Sequence, residues 1–283
     1  MADLATTRRM WTAAETIHAV SYFSEESEAA AAAIGLQGFW RGYFAMRSAP
    51  FGAVGPAVTT ATFFNFHPAM VAKALPAVWA LTTPDAALEA RVAGASAALA
   101  RLLGDVEVGE AVSLVRDAMV ATPPDGRALY AANLAVAWPD EPLRALWHAT
   151  TLIREHRGDG HNAALVAHGL DGCQAHALTA ATGGAPRTET QPFRGWSDDD
   201  WAAAIENLRR RGLVDDTDTA TPAGHGLKAA IERATDRAAG RPWDHLGVER
   251  TAVVLDALEP LARTIADAGI LRYPNPIGLA RAT

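Results

Sequence analysis

Trp201-Ala-Ala-Ala-Ile-Glu-Asn-Leu-Arg-Arg-Arg-Gly-Leu-Val214, followed after an acidic turn by Thr221-Pro-Ala-Gly-His-Gly-Leu227, is the stretch that decides the fold. Ser197 stands where an N-cap belongs, just before an amphipathic helix that ends at Gly212, a residue suited to the helix C-terminus. Leu208, Leu213 and Val214 supply apolar anchors for the helix end and for the first wing strand. Leu213 to Thr221 reads as two short strands around the turn Asp215-Asp-Thr-Asp218. Thr221-Pro222 then opens another helix, since proline fits the first helical turn.

Working outward, an earlier segment repeats this organisation. Ala29-Ala-Ala-Ala-Ala-Ile-Gly-Leu-Gln-Gly38 aligns with Ala163-Ala-Leu-Val-Ala-His-Gly-Leu-Asp-Gly172, sharing a Gly-Leu-x-Gly corner between helices. A helix carrying a tryptophan, Trp11 or Trp147, precedes each copy. A terminal helix follows each, Pro68 to Trp79 and Ser197 to Arg211. A repeat of this size predicts tandem domains rather than a solenoid. The expected architecture is mainly α: two tandem winged-helix-like domains with small β wings, covering 1–84 and 143–247. A helical linker over 85–142 joins them, and a C-terminal helix and tail fill 248–283. The stretch Leu152-Ile-Arg-Glu-His-Arg-Gly-Asp-Gly-His161 reads as a polar corner between a helix ending near His156 and a second one starting at Gly160. Its counterpart in the first copy is Val20 to Ser27.

The motif "helix, Leu-x-x-Arg-Gly-Leu-Val, wing, Thr-Pro-Ala-Gly, helix" resembles a MarR-type winged helix. The whole chain is similar to the actinobacterial SalK-like family of tandem winged-helix proteins. The resemblance rests on Ile17-His-Ala-Val-Ser-Tyr-Phe23, Phe39-Trp-Arg-Gly-Tyr-Phe44, Arg154-Glu-His-Arg-Gly-Asp-Gly-His161, and Thr235-Asp236 with Pro242-Trp243. It implies a fold and no particular activity.

Charge argues against nucleic acid as the partner. The net charge is −7. In a DNA-binding winged helix the start of the recognition helix and the wing lie nearest the phosphates. Here those places hold Asp198-Asp-Asp200 and Asp215-Asp-Thr-Asp218, which removes the favourable counterion release that drives such binding. The helix of the first copy, from His67 through Lys73, is mostly apolar and reads as buried. Cys173 is the single cysteine, which excludes an internal disulfide and fits a reducing cytoplasm. No run of apolar residues is long enough to span a membrane. Two fused copies can imitate a dimer, so the chain is expected to be a monomeric pseudo-dimer or a homodimer.

Two sets of residues carry candidate chemistry. In the first copy His18 and Tyr22 are spaced to share a helix face, as are Tyr43 and Arg47. Trp40, Phe44 and His67 lie nearby. Aromatic walls with an arginine and a histidine suit a small-molecule site, where arginine holds an anion and histidine moves a proton. The bland reading is an aromatic core with satisfied polar tips. The second set is Arg154, His156, Arg157 and His161, which reads either as a ligand-facing cluster or as a network of helix-corner ion pairs. Catalytic roles are expected at His18, Tyr22, Arg154, His156 and His161, and ligand contacts at Trp40, Tyr43, Phe44, Arg47, His67 and Arg157. No zinc spacing, phosphate loop or nucleotide motif is present, so no cofactor and no metal is expected. The leading function is a small-molecule-binding protein, in one form a cofactor-independent enzyme of specialised metabolism, acting on an aromatic or amphipathic anionic ligand. A ligand-responsive transcriptional regulator is the alternative, and a metal or haem protein a further one.

Overall fold

Caps and prolines set the helix boundaries. In a computed structural model, which describes residues 3–275 and 277–282, the Asp3 carboxylate caps α1 (Leu4–His18). After the short α2 (Val20–Phe23), Ser24 caps α3 (Glu25–Ala33), and α4 spans Phe39–Ser48. Prolines occupy the first turns of α5 (Pro56–Phe63), α6 (Pro68–Ala74) and α7 (Pro84–Leu103). Two further helices, α8 (Gly109–Val120) and α9 (Ala128–Leu134), lead to α10 (Pro142–Ala167), which is capped by Glu141. Then come α11 (Gly172–Ala181), α12 (Arg187–Arg194), α13 (Asp198–Arg210), α14 (Pro222–Ala239), α15 (Arg241–Leu246) and α16 (Val248–Asp267). Met1, Ala2, Pro276 and Thr283, which the expected first and last segments include, lie outside the described residues.

The chain is mainly helical. No helix among the described residues is long and apolar enough to cross a membrane. The expected two-stranded wing shrinks to one antiparallel bridge, Val214 with Ala220. Asp215 closes the turn between them by accepting from the Thr217 and Thr219 backbone N–H groups. With so short a connection, side-chain and turn bonds replace a ladder.

The polar corner expected at 157–160 does not exist. Residues 142–167 form one continuous helix, buried along most of its length. A glycine in a helix interior costs about 1 kcal/mol relative to alanine, and its value here lies in tertiary approach. A Cβ on Gly160 would stand 2.7 Å from Arg127 Nη1 and 3.3 Å from Ala238 Cβ. Glycine therefore lets α14 and the Arg127 side chain close on α10, where Arg127 donates to the backbone carbonyls of His156 and Ala238.

The core consists of three apolar clusters, two of them built on this helix. The N-terminal half of α10 packs with α1, α7, α8 and α16 through Leu146, Trp147, Leu152, Ile17, Leu99 and Val254. A second cluster joins Phe44, Phe63, Phe66 and Val71 from α4 to α6. A third joins the end of α10 to α11, α13 and α14 through Leu165, Leu178, Trp201, Leu208 and Ile231. The loop between α5 and α6 docks on this third region. The Trp196 indole donates to Asn65 O at 3.0 Å, and His67 N to Arg194 O at 2.8 Å. Gly172 permits the docking, since a Cβ there would lie 2.3 Å from Phe64 O.

Candidate functional site

α10 carries a band of charge into the interior, and each charge meets a partner from another helix. Arg47 of α4 donates twice to the Glu155 carboxylate, at 3.2 and 3.1 Å, and once to Tyr43 Oη at 3.0 Å. Arg154 bridges Glu155 (2.6 Å) and Glu15 of α1 (2.9 Å). Burial would raise the Glu155 carboxyl, but the guanidiniums of Arg154 and Arg47 override that and hold it at about 2. One turn further on, Arg157 meets Asp236 at 3.2 Å and Glu232 at 3.3 Å, both on α14. Arg8 of α1 reaches the same two carboxylates at 2.7 Å. His161 Nδ1 lies 2.9 Å from Thr235 Oγ1.

All of these groups except Asp236 and Thr235 border a partly open cavity of about 380 Å³ lined by α1, α4, α5, α10, α11, α12 and α14. Its walls mix cations (Arg8, Arg47, Arg154, Arg157, Arg194, Lys228) and carboxylates (Glu15, Glu155, Asp159, Glu232) with aromatic faces (Trp11, Tyr43, Phe63, Phe66). Arg157 stacks over Trp11 at 4.1 Å, Arg47 over Phe63 at 4.1 Å, and Arg194 over Phe66 at 4.6 Å. Stacked guanidiniums are held in place while their edges stay able to donate. Three buried lining atoms, Asn65 Oδ1, His176 Nε2 and Arg157 Nε, have no hydrogen-bond partner. Unsatisfied buried polar atoms are costly, and a site for a polar ligand is one place where they persist.

Asp159 also lines the cavity. It accepts from the Tyr130 backbone N–H at 2.9 Å, so it caps the first turn of α9. Burial pushes its carboxyl up to about 6 against that hydrogen bond. Burial pushes the His161 imidazole down to about 4.

The expected site residues are only partly brought together. Tyr43, Arg47, Arg154, Arg157 and His161 line the central cavity. His18 is fully buried between α1 and α10, bonded to Tyr22 and Thr151 and stacked on Trp147 at 5.2 Å. Tyr22 lines a separate chamber that shares Tyr43 and Arg47 with the central cavity. His156 lies edge-on to Tyr130 at 5.0 Å, with its imidazole pushed down to about 3 by burial. Phe44 sits in the aromatic core against Phe63 and Phe66. Trp40 and His67 border a surface cleft beside Ser197 and Asp200.

Trp11, Glu15, Asn65, His176, Arg194 and Lys228 carry no sequence signal that marks them as site residues. The block Thr235-Asp236 was the available signal for the α14 wall, since Thr235 and Asp236 bind His161, Arg157 and Arg8. Among the described residues no group of three or more His, Cys, Asp or Glu side chains is arranged to hold a metal ion.

Around α13 and the turn that follows it, several charged side chains are held by internal bonds. Asp200 caps its own helix with Ser197, and Asp198 accepts from Arg187 at 2.5 Å and Gln191 at 2.9 Å. Arg209 is engaged by Glu206, Asp216 and Asp218. Arg211 donates to the carbonyls of His168 and Gly169.

A helical chain with a capped, glycine-terminated helix leading through a short turn into α14 defines the class. The chain belongs to the helix-turn-helix family, whose model matches residues 7–272. No curated protein and no solved structure matches it.

Proposed function

We propose that the protein binds a small aromatic or amphipathic anion in the cavity along α10, on a helix-turn-helix scaffold that does not engage DNA. The observation carrying this reading is the composition of that cavity: stacked arginines beside aromatic faces, with buried polar atoms that have no partner in the protein. Pockets of a few hundred cubic ångströms with apolar walls and a few fixed polar groups suit small molecules. Two tandem winged-helix-like copies, 1–84 and 143–247, account for the element order, with α3, α4 and α6 corresponding to the end of α10, α11 and α13. The ligand then lies between the copies. A cofactor-independent enzyme is the more specific form of this proposal, and Asp159, whose carboxyl is raised to about 6 at the cavity wall, is the group suited to move a proton.

The test uses 2-naphthoate and its neutral amide. Titration followed by tryptophan fluorescence, with Trp11 at the wall, is expected to give saturable binding of the carboxylate and at least tenfold weaker binding of the amide. Arg157→Gln should weaken the carboxylate. Absence of saturable binding by a folded protein overturns the reading.

A transcriptional regulator is the second reading, favoured by the family membership. It requires the Asp198–Asp200 and Asp215–Asp218 surfaces to approach phosphates. A gel shift at low salt with DNA flanking the gene decides it: saturable, salt-sensitive binding establishes the regulator, and its absence supports the ligand-binding reading.

A further inference from the structure

The chamber on the other side of Tyr43 and Arg47 holds about 320 Å³. It lies between α2, α3 and α4, and its walls are chiefly apolar: Phe23, Leu36, Phe39, Met46 and the alanines of α3. Serines, Gln37 and four charged side chains also line it, and so do two tyrosines whose hydroxyl directions the surrounding hydrogen bonds fix.

Thr151 Oγ1 lies 2.9 Å from Trp147 O and 3.0 Å from His18 Nδ1. A carbonyl only accepts, so both contacts are hydrogen bonds only if the threonine hydroxyl donates to Trp147 O and accepts from His18 Nδ1–H. This assigns the proton of a neutral His18 to Nδ1 and leaves Nε2 as an acceptor. The imidazole has no exposed surface, and burial with nearby arginines keeps it uncharged. Tyr22 Oη, 2.9 Å from Nε2, must therefore donate to it. That commits the Tyr22 hydrogen inward and leaves its oxygen an acceptor. Tyr43 is the reverse case. Its oxygen accepts from Arg47 Nη1 at 3.0 Å, and arginine never accepts, so the Tyr43 hydroxyl hydrogen remains available to donate. The two rings lie 5.2 Å apart on the chamber wall.

The cations of the chamber are already engaged. Arg47 is held by Glu155, and Arg91 donates to Met46 O and Asn133 Oδ1. Glu25 and Glu28 also line it and oppose an anion, while Arg47 and Arg91 oppose a cation.

We propose that this chamber is a second binding site, distinct from the central cavity, for a neutral apolar molecule bearing one hydroxyl group, of the phenol or alcohol class. The hydroxyl donates to Tyr22 Oη and accepts from Tyr43, and the apolar body fills the space against Leu36, Phe39 and Met46. A site built to satisfy a hydroxyl rejects the analogue that lacks it, because its own polar groups are then left unpaired.

The test is calorimetric titration of the full chain with 4-ethylphenol, ethylbenzene and 4-ethylbenzoate. The phenol is expected to bind about tenfold tighter than either analogue. Tyr22→Phe and Tyr43→Phe should each bring phenol and ethylbenzene to parity while circular dichroism stays native. Ala32→Phe, which fills the chamber, should abolish phenol binding and leave 2-naphthoate binding unchanged. Equal affinity for ethylbenzene, no binding by the folded protein, or phenol binding that survives Ala32→Phe overturns the proposal. It stands independently of the central cavity, so a failure with 2-naphthoate leaves it untouched.

Discussion

Arg47 on α4 grips Glu155 on α10 through two parallel hydrogen bonds, Nε to Oε1 and Nη2 to Oε2, in a place where Glu155 is almost wholly shielded from water. The pair joins the aromatic cluster of the first half to the central helix. Arg154 donates to the same carboxylate, so one anion holds two buried cations.

Removing that anion leaves Arg47 without a carboxylate and Arg154 with Glu15 alone. Breaking a buried pair from one side costs about 3–5 kcal/mol, so Glu155→Ala should lose about that much stability in urea unfolding. The acid limb follows from the same pair. The carboxyl is held at about 2 in the fold against an ordinary 4.5, so its contribution is complete above pH 4.5 and is lost as pH falls toward 2. A Glu155→Ala loss under 1 kcal/mol would show that the triad contributes little.

The locally coded parts of the fold were legible in the sequence. The cap at Ser197, the helix end before Gly212 and the start at Pro222 all stand where short-range rules put them. The pairs His18–Tyr22 and Tyr43–Arg47, read from spacing alone, are hydrogen-bonded. The charged block of α10 was visible as a block, but its partners Glu15, Glu232 and Asp236 are remote in the chain, and nothing local points to them. Gly158 and Gly160 read locally as a helix break for the same reason. Glycine usually punctuates a helix, whereas Gly160 is there because another helix passes close by. His176 and Arg194 carry no periodic signal on their helices.

Asp159 should give the opposite pH response to Glu155. Its folded value of about 6 lies above the ordinary 3.8. Its stabilising contribution is therefore present below pH 3.8 and is lost as pH rises through 6. Asp159→Asn keeps an oxygen for the Tyr130 N–H and has no charge to bury. It should match or exceed the parent in stability at pH 8, and its stability should vary less between pH 4 and 6. Asp159→Ala, which removes the cap, should cost about 1 kcal/mol. Identical pH profiles for the parent and Asp159→Asn would rule this assignment out.

Cys173 reports on the contact between α11 and α13. Its thiol is buried, pushed up to about 12 chiefly by burial, and close to Asp200 O at 3.6 Å. The thiolate is the reactive form, so a disulfide reagent at pH 8 should leave the native protein unlabelled over minutes and label it fully in denaturant. Labelling at the rate of a free thiol would mean that α11 and α13 separate readily in the native state.

The join between the α5–α6 loop and α11 is tested by two glycines with opposite surroundings. Gly172 faces backbone: an added Cβ would sit 2.3 Å from Phe64 O and 3.1 Å from Asn65 Cα. Neither atom belongs to a flexible side-chain end, so the whole loop must move, at a cost of about 1–3 kcal/mol for an overpacked site. Gly226, inside α14, has nothing within 4 Å of the same position, and alanine there should gain about 0.5–1 kcal/mol from helix propensity. Because Asn65 lines the central cavity, Gly172→Ala should also weaken 2-naphthoate binding, while Gly226→Ala should not. Melting curves and naphthoate titrations of the two variants measure both effects. If Gly172→Ala melts with the parent, the close approach of Phe64 to α11 does not hold the two halves together.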